Sequence, residues 1–357
     1  MPTLNYAEVW EGELLDIRIQ ETLSSPFVTT NVRWLDARTF HFTQMSTSGY
    51  KSHKRDGGWN PGRYLQTDVP FTVTHDRDIE FLVDKADVDE TNSTASIQNI
   101  SRTFESTQSA PEQDALFFSR TAAKAQSVSG YSSVTAADSY TRDNVFGRLK
   151  AMLSAGKLRR YKAQGALIMY VSSAVMDLLE QSSDFTRKIE MTQIAEGGTG
   201  LETRVTDIDG VPLMEVVDDE RFYDRFDFDP EDGGFAPTAA SYAKTADTDI
   251  VSGKDYYTES GGTYTKVTSP KKADIGTYYE KAPGSRRINV LIASPLTTKI
   301  VPKLASIYAF APGSHTKGDG WLYQNRSLSD VFTFPNGKDG SIDSIYVDVD
   351  TTEYTGA

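Results

Sequence analysis

Two segments of alternating polar and apolar residues, separated by a long glycine-rich stretch, constrain the fold of this chain more than any other feature. They are residues 38–45 and 69–74, and a period of two predicts β-strands. The stretch between them, residues 48–62, is polar, basic and rich in glycine, so it is unsuited to a core. The pattern therefore predicts a long β-hairpin with a projecting tip. Tyr50 and Trp59 lie on that tip, where aromatic side chains suit contact with another surface.

The composition indicates a folded and strongly acidic protein. The 357 residues include 37 Lys and Arg against 50 Asp and Glu, which gives a formal charge of −13. Because affinity for DNA comes largely from basic side chains that neutralise phosphates, this balance disfavours a dedicated DNA-binding protein. The absence of cysteine excludes disulfides, a thiol nucleophile and cysteine-bound zinc.

No segment has the pattern of a membrane span or of an export signal. The longest apolar run, residues 166–171, is much shorter than the ~20 residues that a membrane-spanning helix needs. The first residues lack the basic and then apolar segments that mark a signal peptide. We therefore expect a soluble protein that is made in a cytoplasm and has no membrane partner.

The N-terminal segment predicts a short amphipathic helix. Its apolar residues recur at steps of three and four, which places them on one helix face. This face has to be buried, either against its own domain or against a neighbouring molecule. Its residues are Tyr6, Val9, Trp10, Leu14 and Ile17.

The strongest helical pattern spans residues 94–126, where apolar side chains keep a common face. Ser109 and Glu112 have the spacing of a capping box, and Pro111 would lie in the first turn, where its missing N–H costs little. We therefore expect one long helical element that is broken or kinked near Pro111.

The middle of the chain predicts a compact α/β unit. Residues 144–155 have a helical pattern, and the apolar run 166–171 is typical of a buried strand. Ser172 and Ser173 would then cap a helix over residues 174–181. Asp-Gly within residues 207–210 predicts a tight turn between two strands.

The last part of the chain returns to strands. Residues 288–293 and 305–310 have strand patterns. Residues 328–334 and 342–348 flank Asn336-Gly337, and Asn-Gly supplies the positive φ angles of a tight hairpin turn. We therefore expect these last two strands to pair with each other.

Residues 242–281 differ in composition from the rest of the chain. They are rich in Thr, Tyr, Lys, Gly and Asp and almost free of Leu, Met and Phe. Residues 255–258 and 263–267 bracket Gly261-Gly262, which predicts a hairpin. Because a segment with so few apolar side chains can form only a thin core, we expect a small β-rich insertion on an outer surface.

The residues with reactive or metal-binding side chains form no catalytic constellation. The four histidines are scattered, and the chain has neither a nucleophile elbow nor a P-loop. The acidic stretch 218–232 alternates like a calcium loop, but it lacks the glycine at position six and the Glu at position twelve, so a solvated loop is the better interpretation. The basic run 156–162 is typical of a solvated helix end. We expect no enzymatic activity, no metal and no cofactor.

Several blocks of the sequence resemble the major capsid proteins of tailed phages that infect Gram-positive bacteria. The order of these blocks carries the resemblance, which covers nearly the whole chain except residues 242–281. The blocks are Asn-Val-Arg-Trp-Leu-Asp-Ala-Arg-Thr-Phe-His-Phe at 31–42, Asp-Arg-Asp-Ile-Glu-Phe-Leu-Val-Asp-Lys-Ala-Asp-Val-Asp-Glu-Thr at 76–91, Leu-Ile-Met-Tyr-Val-Ser at 167–172, Arg-Ser-Leu-Ser-Asp-Val-Phe at 326–332, Asn-Gly-Lys at 336–338 and Ile-Tyr at 345–346.

The resemblance implies the α+β capsid fold of the Hong Kong ninety-seven type and a division of the chain into named parts. The insertion departs from the family's minimal pattern, and its place suggests a knob on the outside of a shell. The parts are an N-terminal arm (1–32), an extended E-loop hairpin (33–75), a peripheral domain with a long spine helix (76–128), an axial domain (129–238), the small β-rich insertion (239–283), a return to the axial domain (284–300) and the closing strands of the peripheral domain (301–357).

The function that the resemblance implies is self-assembly, through pentamers and hexamers, into an icosahedral head that encloses double-stranded DNA. Scaffolding and portal proteins would be partners during assembly in the host cytoplasm, and a decoration protein could bind the finished virion. An acidic subunit would repel DNA rather than bind it at many sites. We expect the inter-subunit contact residues to be Trp10, Leu14, Tyr50, Lys51, Lys54, Arg55 and Trp59.

Two other interpretations remain open from the sequence. A hydrolase or another enzyme would need a nucleophile–base pair or a metal cluster, and the sequence offers neither. A surface-adhesion or carbohydrate-binding module is suggested by the tyrosine-rich insertion. If adhesion were the whole function, however, the long hairpin and the long helix would have no role.

Overall fold

The computed structural model describes residues 22–29, 38–53, 59–84, 97–182, 190–191, 204–230, 233–336 and 340–356. Within these ranges the chain forms five α-helices and eighteen β-strands. The strands make sheets of seven, four and three strands and two separate strand pairs. The α+β class predicted from the sequence is confirmed.

The helices are α1 (Ile97–Phe104), α2 (Ala110–Gln126), α3 (Val145–Leu153), α4 (Arg159–Ala163) and α5 (Ser173–Glu180). The strands are β1 (Thr39–Thr47), β2 (Tyr64–Thr72), β3 (His75–Asp84), β4 (Ser132–Val134), β5 (Ile168–Ser172), β6 (Glu190–Met191), β7 (Arg204–Ile208), β8 (Val211–Val216), β9 (Phe226–Asp227), β10 (Ala236–Pro237), β11 (Ser241–Lys244), β12 (Tyr257–Ser260), β13 (Thr263–Lys266), β14 (Tyr279–Ala282), β15 (Arg286–Ala293), β16 (Thr298–Phe310), β17 (Gly320–Thr333) and β18 (Ile345–Glu353).

The long hairpin predicted from the alternating segments is confirmed. Strands β1 and β2 pair antiparallel without interruption, from Thr39 opposite Thr72 to Thr47 opposite Tyr64. Both strands extend further toward the tip than the alternation alone indicates. At ~3.4 Å per residue, a nine-residue strand makes this hairpin roughly 30 Å long.

The chain continues from the hairpin into a three-stranded antiparallel sheet. Its order is β16-β17-β3. Strand β17 is central: it pairs with β16 on one side and with β3 on the other. Both β16 and β17 begin well before the residues that the sequence pattern marks as strands.

The long helical element is present and has its irregularity in the expected region. Helices α1 and α2 are joined by a π-helical turn, Glu105–Ser109. The predicted capping box is wrong, because Ser109 has helical φ and ψ (−67° and −44°) and makes no side-chain cap. Proline has no N–H to donate, and its ring crowds the preceding helical turn. The π-turn just before Pro111 replaces the usual i→i−4 hydrogen-bond pattern at this point.

The seven-stranded mixed sheet has the order β4-β18-β15-β5-β8-β7-β6. Neighbouring strands are antiparallel, except for the parallel pairs β5–β8 and β4–β18. The predicted tight turn joins β7 to β8. Asp209 and Gly210 have positive φ angles of 53° and 78° there, as a type I′ turn requires.

Helix α2 covers one face of this sheet, and helices α3 and α5 cover the other. In β5, Met169 and Val171 pack into the core beneath α3 and α5, whereas Tyr170 packs into the core shared with α2. Strand β15 alternates in the same way, with Ile292 on the first side and Leu291 on the second. Burial on both faces explains the continuous apolar run of β5, and the prediction of a buried strand is confirmed.

The last two long strands lie in different sheets, so the predicted hairpin between residues 328–334 and 342–348 is wrong. Both edges of β17 are already paired with β16 and β3. Strand β18 instead joins β15 and β4 in the seven-stranded sheet. A local turn does form, since the Asn336 N–H donates to the Ser341 carbonyl at 2.8 Å, but the two strands diverge from it.

The predicted β-rich insertion forms the four-stranded sheet, in the order β11-β14-β12-β13. The hairpin predicted around Gly261-Gly262 is confirmed by the pairing of β12 with β13. Both glycines have positive φ angles, 59° and 81°, which the tight turn requires.

Candidate interaction surface

An aromatic cluster fixes the base of the hairpin. Phe40 of β1 and Phe71 of β2 lie with ring centroids 5.6 Å apart. Phe332 meets Phe40 edge-on at 5.1 Å, and Phe334 meets Phe71 edge-on at 5.2 Å. Edge-to-face contacts at these distances stabilise aromatic pairs beyond their area burial. The start of the hairpin is therefore firmly attached to the end of β17.

Charged side chains attach the same region a second time. The Asp76 carboxylate accepts hydrogen bonds from Arg326 Nη2 at 2.8 Å and from Arg38 Nη2 at 2.8 Å. The hydrogen bond from Arg326, together with the charges of Arg326 and Arg38, lowers the pKa of Asp76. Asp330 accepts from both the N–H and the hydroxyl of Thr74, at 3.0 and 2.7 Å. These contacts set the direction in which the hairpin leaves the body.

Beyond the base, the hairpin presents large apolar side chains to solvent. Met45, Tyr64 and Leu65 are 58%, 75% and 64% exposed, and Tyr50 and Trp59 at the tip are fully exposed. Within the described ranges, these are five of the twelve exposed large apolar side chains. Because Met45 and Tyr64 lie on one face and Leu65 on the other, both faces of the hairpin carry apolar groups without cover from this chain.

The tip is held by its own hydrogen bonds. Ser48 and Arg63 extend the strand pairing, since the Ser48 N–H donates to the Arg63 carbonyl and the Arg63 N–H to Ser48 Oγ, at 2.8 and 2.9 Å. Asn60 donates to the Ser52 carbonyl at 2.9 Å, and Lys51 Nζ to the Pro61 carbonyl at 3.3 Å. The part of the tip that the structure describes is therefore ordered enough to present Tyr50 and Trp59.

The expected contact residues divide into two groups. Tyr50, Lys51 and Trp59 lie together on the exposed tip. The other four lie outside the described residues: Trp10, Leu14, Lys54 and Arg55. The contact role of all seven residues stays a prediction. Sequence reasoning missed Met45, Tyr64 and Leu65 as exposed apolar residues. They could have been found as apolar side chains on the hairpin that no neighbouring apolar segment would cover.

The acidic stretch offers no metal centre in the part that the structure describes. No group of three or more potential ligands comes together among the described residues. Asp218 instead caps a short 3₁₀ turn by accepting from the Glu220 N–H at 3.2 Å, and Asp219 pairs with Arg287 at 3.1 Å. Among the described helices, none is long and apolar enough to cross a bilayer.

The basic run 156–162 makes ion pairs within the chain. It contributes α4, and Lys162 pairs with Asp209 at 2.8 Å. Arg160 lies 3.7 Å from the buried carboxylate of Asp343. These contacts hold α4 against the β7–β8 turn and the residues before β18.

A buried carboxylate of α2 anchors residues 22–29 to the rest of the chain. Asp114 of α2 is fully buried and accepts from the N–H groups of Leu23 and Ser24, both at 3.0 Å. The Ser24 hydroxyl adds a bond of 2.7 Å, and Arg221 donates at 3.0 Å. Burial raises the pKa of Asp114, and these hydrogen bonds and the Arg221 charge oppose the rise. Phe27 enters the core beside α2, so residues 22–29 belong to the body.

The anchor was recognisable in the sequence only in part. Asp114 precedes Phe118 by four residues and therefore lies on the apolar face of the predicted helix. A carboxylate on a buried helix face needs donors, but the sequence does not name Leu23, Ser24 and Arg221 as those donors.

No protein-family model and no curated protein sequence matches the chain. Its structure is similar to solved structures from bacteriophages and to that of a virus-like particle. The asymmetric unit of the mature capsid of bacteriophage PhiM1 gives a TM-score of 0.49 at 14% identity, over 88% of this chain and 82% of that one. A structure from Microbacterium phage Oxtober96 gives a TM-score of 0.49 at 8% identity, over 92% of this chain and 91% of that one. A virus-like particle from Pyrococcus furiosus gives 0.44 at 10% identity, over 96% and 99%. Because these TM-scores lie below 0.5, function has to be argued from the residues of this chain.

Proposed function

We propose that this chain is the major capsid protein of a tailed phage of Gram-positive bacteria, with a structural and not a catalytic role. The observation that carries the proposal is the hairpin β1–β2, which is anchored at its base and exposes large apolar side chains along the rest of its length. A two-stranded hairpin is at most marginally stable in water by itself. A second copy of the chain is the partner that would cover these groups.

The contacts of a shell explain why such a hairpin would be retained. A repeated contact between two different surfaces of identical copies closes into rings when the rotation allows it. Pentamers and hexamers are rings of this kind, and an overlapping hairpin adds more buried area than an edge contact. We propose that Tyr50 and Trp59 are the main anchors, because interface energy concentrates in buried aromatic side chains. Trp10, Leu14, Lys51, Lys54 and Arg55 complete the proposed contact set.

The proposed parts of the fold follow the sheets. The hairpin corresponds to the E-loop (33–75) and α1–α2 to the spine helix. The seven-stranded sheet with α3 and α5 corresponds to the axial domain, and β3, β16 and β17 to the peripheral domain. Strand β18 pairs with β15, so we assign residues 345–353 to the axial sheet rather than to the closing strands of the peripheral domain.

The acidic charge suits a container for DNA. With a net charge of −13, the subunit offers few sites at which packaged DNA would be held. The proposed partners are other copies of the chain, a scaffolding protein and a portal protein during assembly in the host cytoplasm, and a decoration protein on the virion. No cofactor is required.

The test of the proposal is the state of assembly of the full chain. The protein is expressed with and without the neighbouring phage genes for scaffolding and portal proteins, and the product is examined by sedimentation and electron microscopy. Rings or closed shells of millions of daltons are expected. A protein that stays monomeric at high concentration with its assembly partners present contradicts the proposal.

Matched variants connect the assembly to the hairpin. In the double variant Tyr50→Ser/Trp59→Ser, we expect at least a tenfold rise in the concentration needed for assembly, since truncating an interface hot spot costs about 2 kcal/mol or more. Val217→Ser is the control, because Val217 is 75% exposed but lies outside the hairpin. Equal effects of the two changes would argue against the hairpin as the contact.

A further inference from the structure

The inserted sheet β11–β14 is joined to the body through one narrow connection. Ser241 at the start of β11 lies opposite Ala282 at the end of β14, so the chain enters and leaves the sheet side by side. Two hydrogen bonds close this connection: Ser285 N–H to the Thr238 carbonyl at 2.8 Å, and Ala240 N–H to the Tyr354 carbonyl at 3.0 Å. The sheet is therefore a separate module on the body.

One face of this module carries a continuous set of four tyrosine rings. Cross-strand pairs share a face. Tyr257 lies opposite Tyr279, and Tyr264 lies opposite Glu259, while Tyr242 is two residues from Lys244, which lies opposite Tyr279. The common face follows from these pairs. Its tyrosines are Tyr242, Tyr257, Tyr264 and Tyr279.

The four rings contact one another in a chain. Tyr242 and Tyr264 stack in parallel, with centroids 4.0 Å apart and planes 3° apart. Tyr257 meets Tyr242 at 5.1 Å, and Tyr279 meets Tyr264 at 5.2 Å, both edge-on. All four rings are only half-buried. The result is an extended aromatic surface fixed on a rigid sheet.

The module builds its buried core from other tyrosines. Tyr256 and Tyr278 are buried, with ring centroids 5.7 Å apart. The Tyr256 hydroxyl donates to Asp247 at 2.7 Å and accepts from the Val251 N–H at 3.1 Å. Because these residues supply the enclosed core, the half-buried rings on the four-tyrosine face remain accessible to a ligand.

The charges of the module indicate which ligand fits this face. Residues 241–282 contain six lysines and six acidic residues, so the module is neutral while the whole chain carries −13. The tyrosine face carries three lysines. Lys266 pairs with Asp255 and Lys281 with Glu353, both at 2.6 Å, and Lys244 shares the face with the acidic Glu259. A polyanion or a single-stranded nucleic acid needs a groove of available positive charge next to its stacking platform. The face lacks that excess charge.

We propose that the four-tyrosine face binds a neutral polysaccharide. The C–H faces of sugar rings are apolar and stack on tyrosine rings, and sugar hydroxyls exchange hydrogen bonds with the tyrosine hydroxyls and with neighbouring polar side chains. A row of half-exposed rings on a rigid sheet suits an extended chain of sugars. The binding depends on the module alone and does not rest on assembly into a shell.

The test is affinity gel electrophoresis of the full chain in gels that contain laminarin, a mannan or a galactan as neutral polymers. Dextran sulfate and a poly(dT) oligonucleotide are run as anionic probes. We expect retardation by at least one neutral polymer and none by the anionic probes. Retardation only by the anionic probes, or by no probe, overturns the proposal.

Three variants locate the binding on the face. Tyr264→Leu should weaken retardation at least tenfold, whereas Tyr264→Phe keeps the ring and should stay within threefold of the wild type. Thr265→Leu is the control on the opposite face of the same strand and should have no effect. Limited proteolysis checks that the module is folded in each variant. An equal loss in Thr265→Leu, or full binding in a folded Tyr264→Leu, contradicts the proposal.

Discussion

The hairpin β1–β2 and the inserted sheet β11–β14 are both small β-structures attached to the body at one end, but they treat their aromatic side chains differently. The hairpin leaves Tyr50 and Trp59 fully exposed, and the ring that it buries among its described side chains, Phe40, lies at the base. The inserted sheet buries Tyr256 and Tyr278 in a core of its own and stacks further rings on one face.

The difference shows which of the two needs a partner. Two strands have no second layer against which to bury a face, so the exposed apolar groups of the hairpin gain contacts only from another molecule. Four strands with buried tyrosines and internal ion pairs supply their own contacts. The exposed apolar groups of the thin hairpin therefore support the proposed assembly, and the aromatic residues of the self-supporting module support the separate role proposed for it.

The largest effect should come from shortening the hairpin. Replacing residues 46–65 by Asn-Gly keeps the anchored base and a favourable tight turn but removes Tyr50, Trp59 and their neighbours. We expect complete loss of assembled particles in sedimentation, with the thermal unfolding midpoint of the monomer unchanged within about 3 °C. Particles of normal size from this variant would show that the hairpin is not the contact that holds the proposed shell together.

Truncating one buried aromatic ring in the hairpin and one in the inserted sheet should separate effects on local stability from effects on assembly. Phe40→Ala at the hairpin base and Tyr278→Ala in the inserted sheet should each cost about 3–5 kcal/mol of local stability. Hydrogen exchange should show lost protection in the hairpin for the first variant and in residues 241–282 for the second. Only Phe40→Ala should also impair assembly, and impairment by Tyr278→Ala would contradict the proposed independence of the module.

Lowering the pH should reduce the stability of the inserted sheet, and this effect should be smaller than that of truncating a buried ring. Hydrogen bonds from Lys254 and Tyr256 lower the pKa of Asp247, and those from Thr245 and Lys254 lower the pKa of Glu280. A carboxyl group whose pKa is lowered in the folded state stabilises the fold at pH values above its ordinary pKa near 4. This stabilisation is lost as the pH falls through the folded-state pKa. Exchange protection of residues 241–282 should therefore decrease below pH ~4 after correction for intrinsic rates.

Lys254→Met is the matched variant for this measurement. It removes the ion pairs of Lys254 with Asp247 and Glu280, at 2.8 and 2.9 Å. The exchange protection of residues 241–282 should therefore decrease less at low pH in this variant. An unchanged pH profile in Lys254→Met would show that these pairs do not set the acid sensitivity of the sheet.

Removing the inserted sheet should have the smallest effect on assembly. Because Ser241 and Ala282 are neighbours across a strand pair, a Gly-Gly link from Ala240 to Pro283 spans the gap without moving the body. Particles of normal diameter and lower subunit mass are expected in electron microscopy. Failure to assemble, with a folded monomer, would mean that the module takes part in subunit contacts.

Local sequence patterns predicted much of the fold because their causes are local. Alternation fixed the hairpin strands, and Asp209-Gly210 and Gly261-Gly262 lie at tight turns with the positive φ angles that such pairs supply. The apolar period of α1–α2 predicted the long helix. The tip residues Tyr50 and Trp59 were recognisable because a polar, glycine-rich segment offers them no cover.

The failures concern choices between partners. Asn336-Gly337 predicted a hairpin, but β17 was already paired on both edges, and β18 found its partner in β15. The spacing of Ser109 and Glu112 fits a helix start, but the preceding residues are themselves helical. The competing strand partners cannot be seen in a local window of sequence, whereas the helical pattern before Ser109 is local and was part of the predicted element.

The sequence by itself therefore determined most of the elements, the turns at Asp209-Gly210 and Gly261-Gly262, the acidic charge and the exposed aromatic tip, since each depends on composition or on neighbouring residues and their φ, ψ preferences. Only the tertiary structure decided that β17 and β18 part into two sheets, that Asp114 of α2 holds Leu23 and Ser24, and that four separated tyrosines form one face. The reason is that strand edges and buried donors are satisfied by whichever partner packing brings near, and that partner can lie anywhere along the chain.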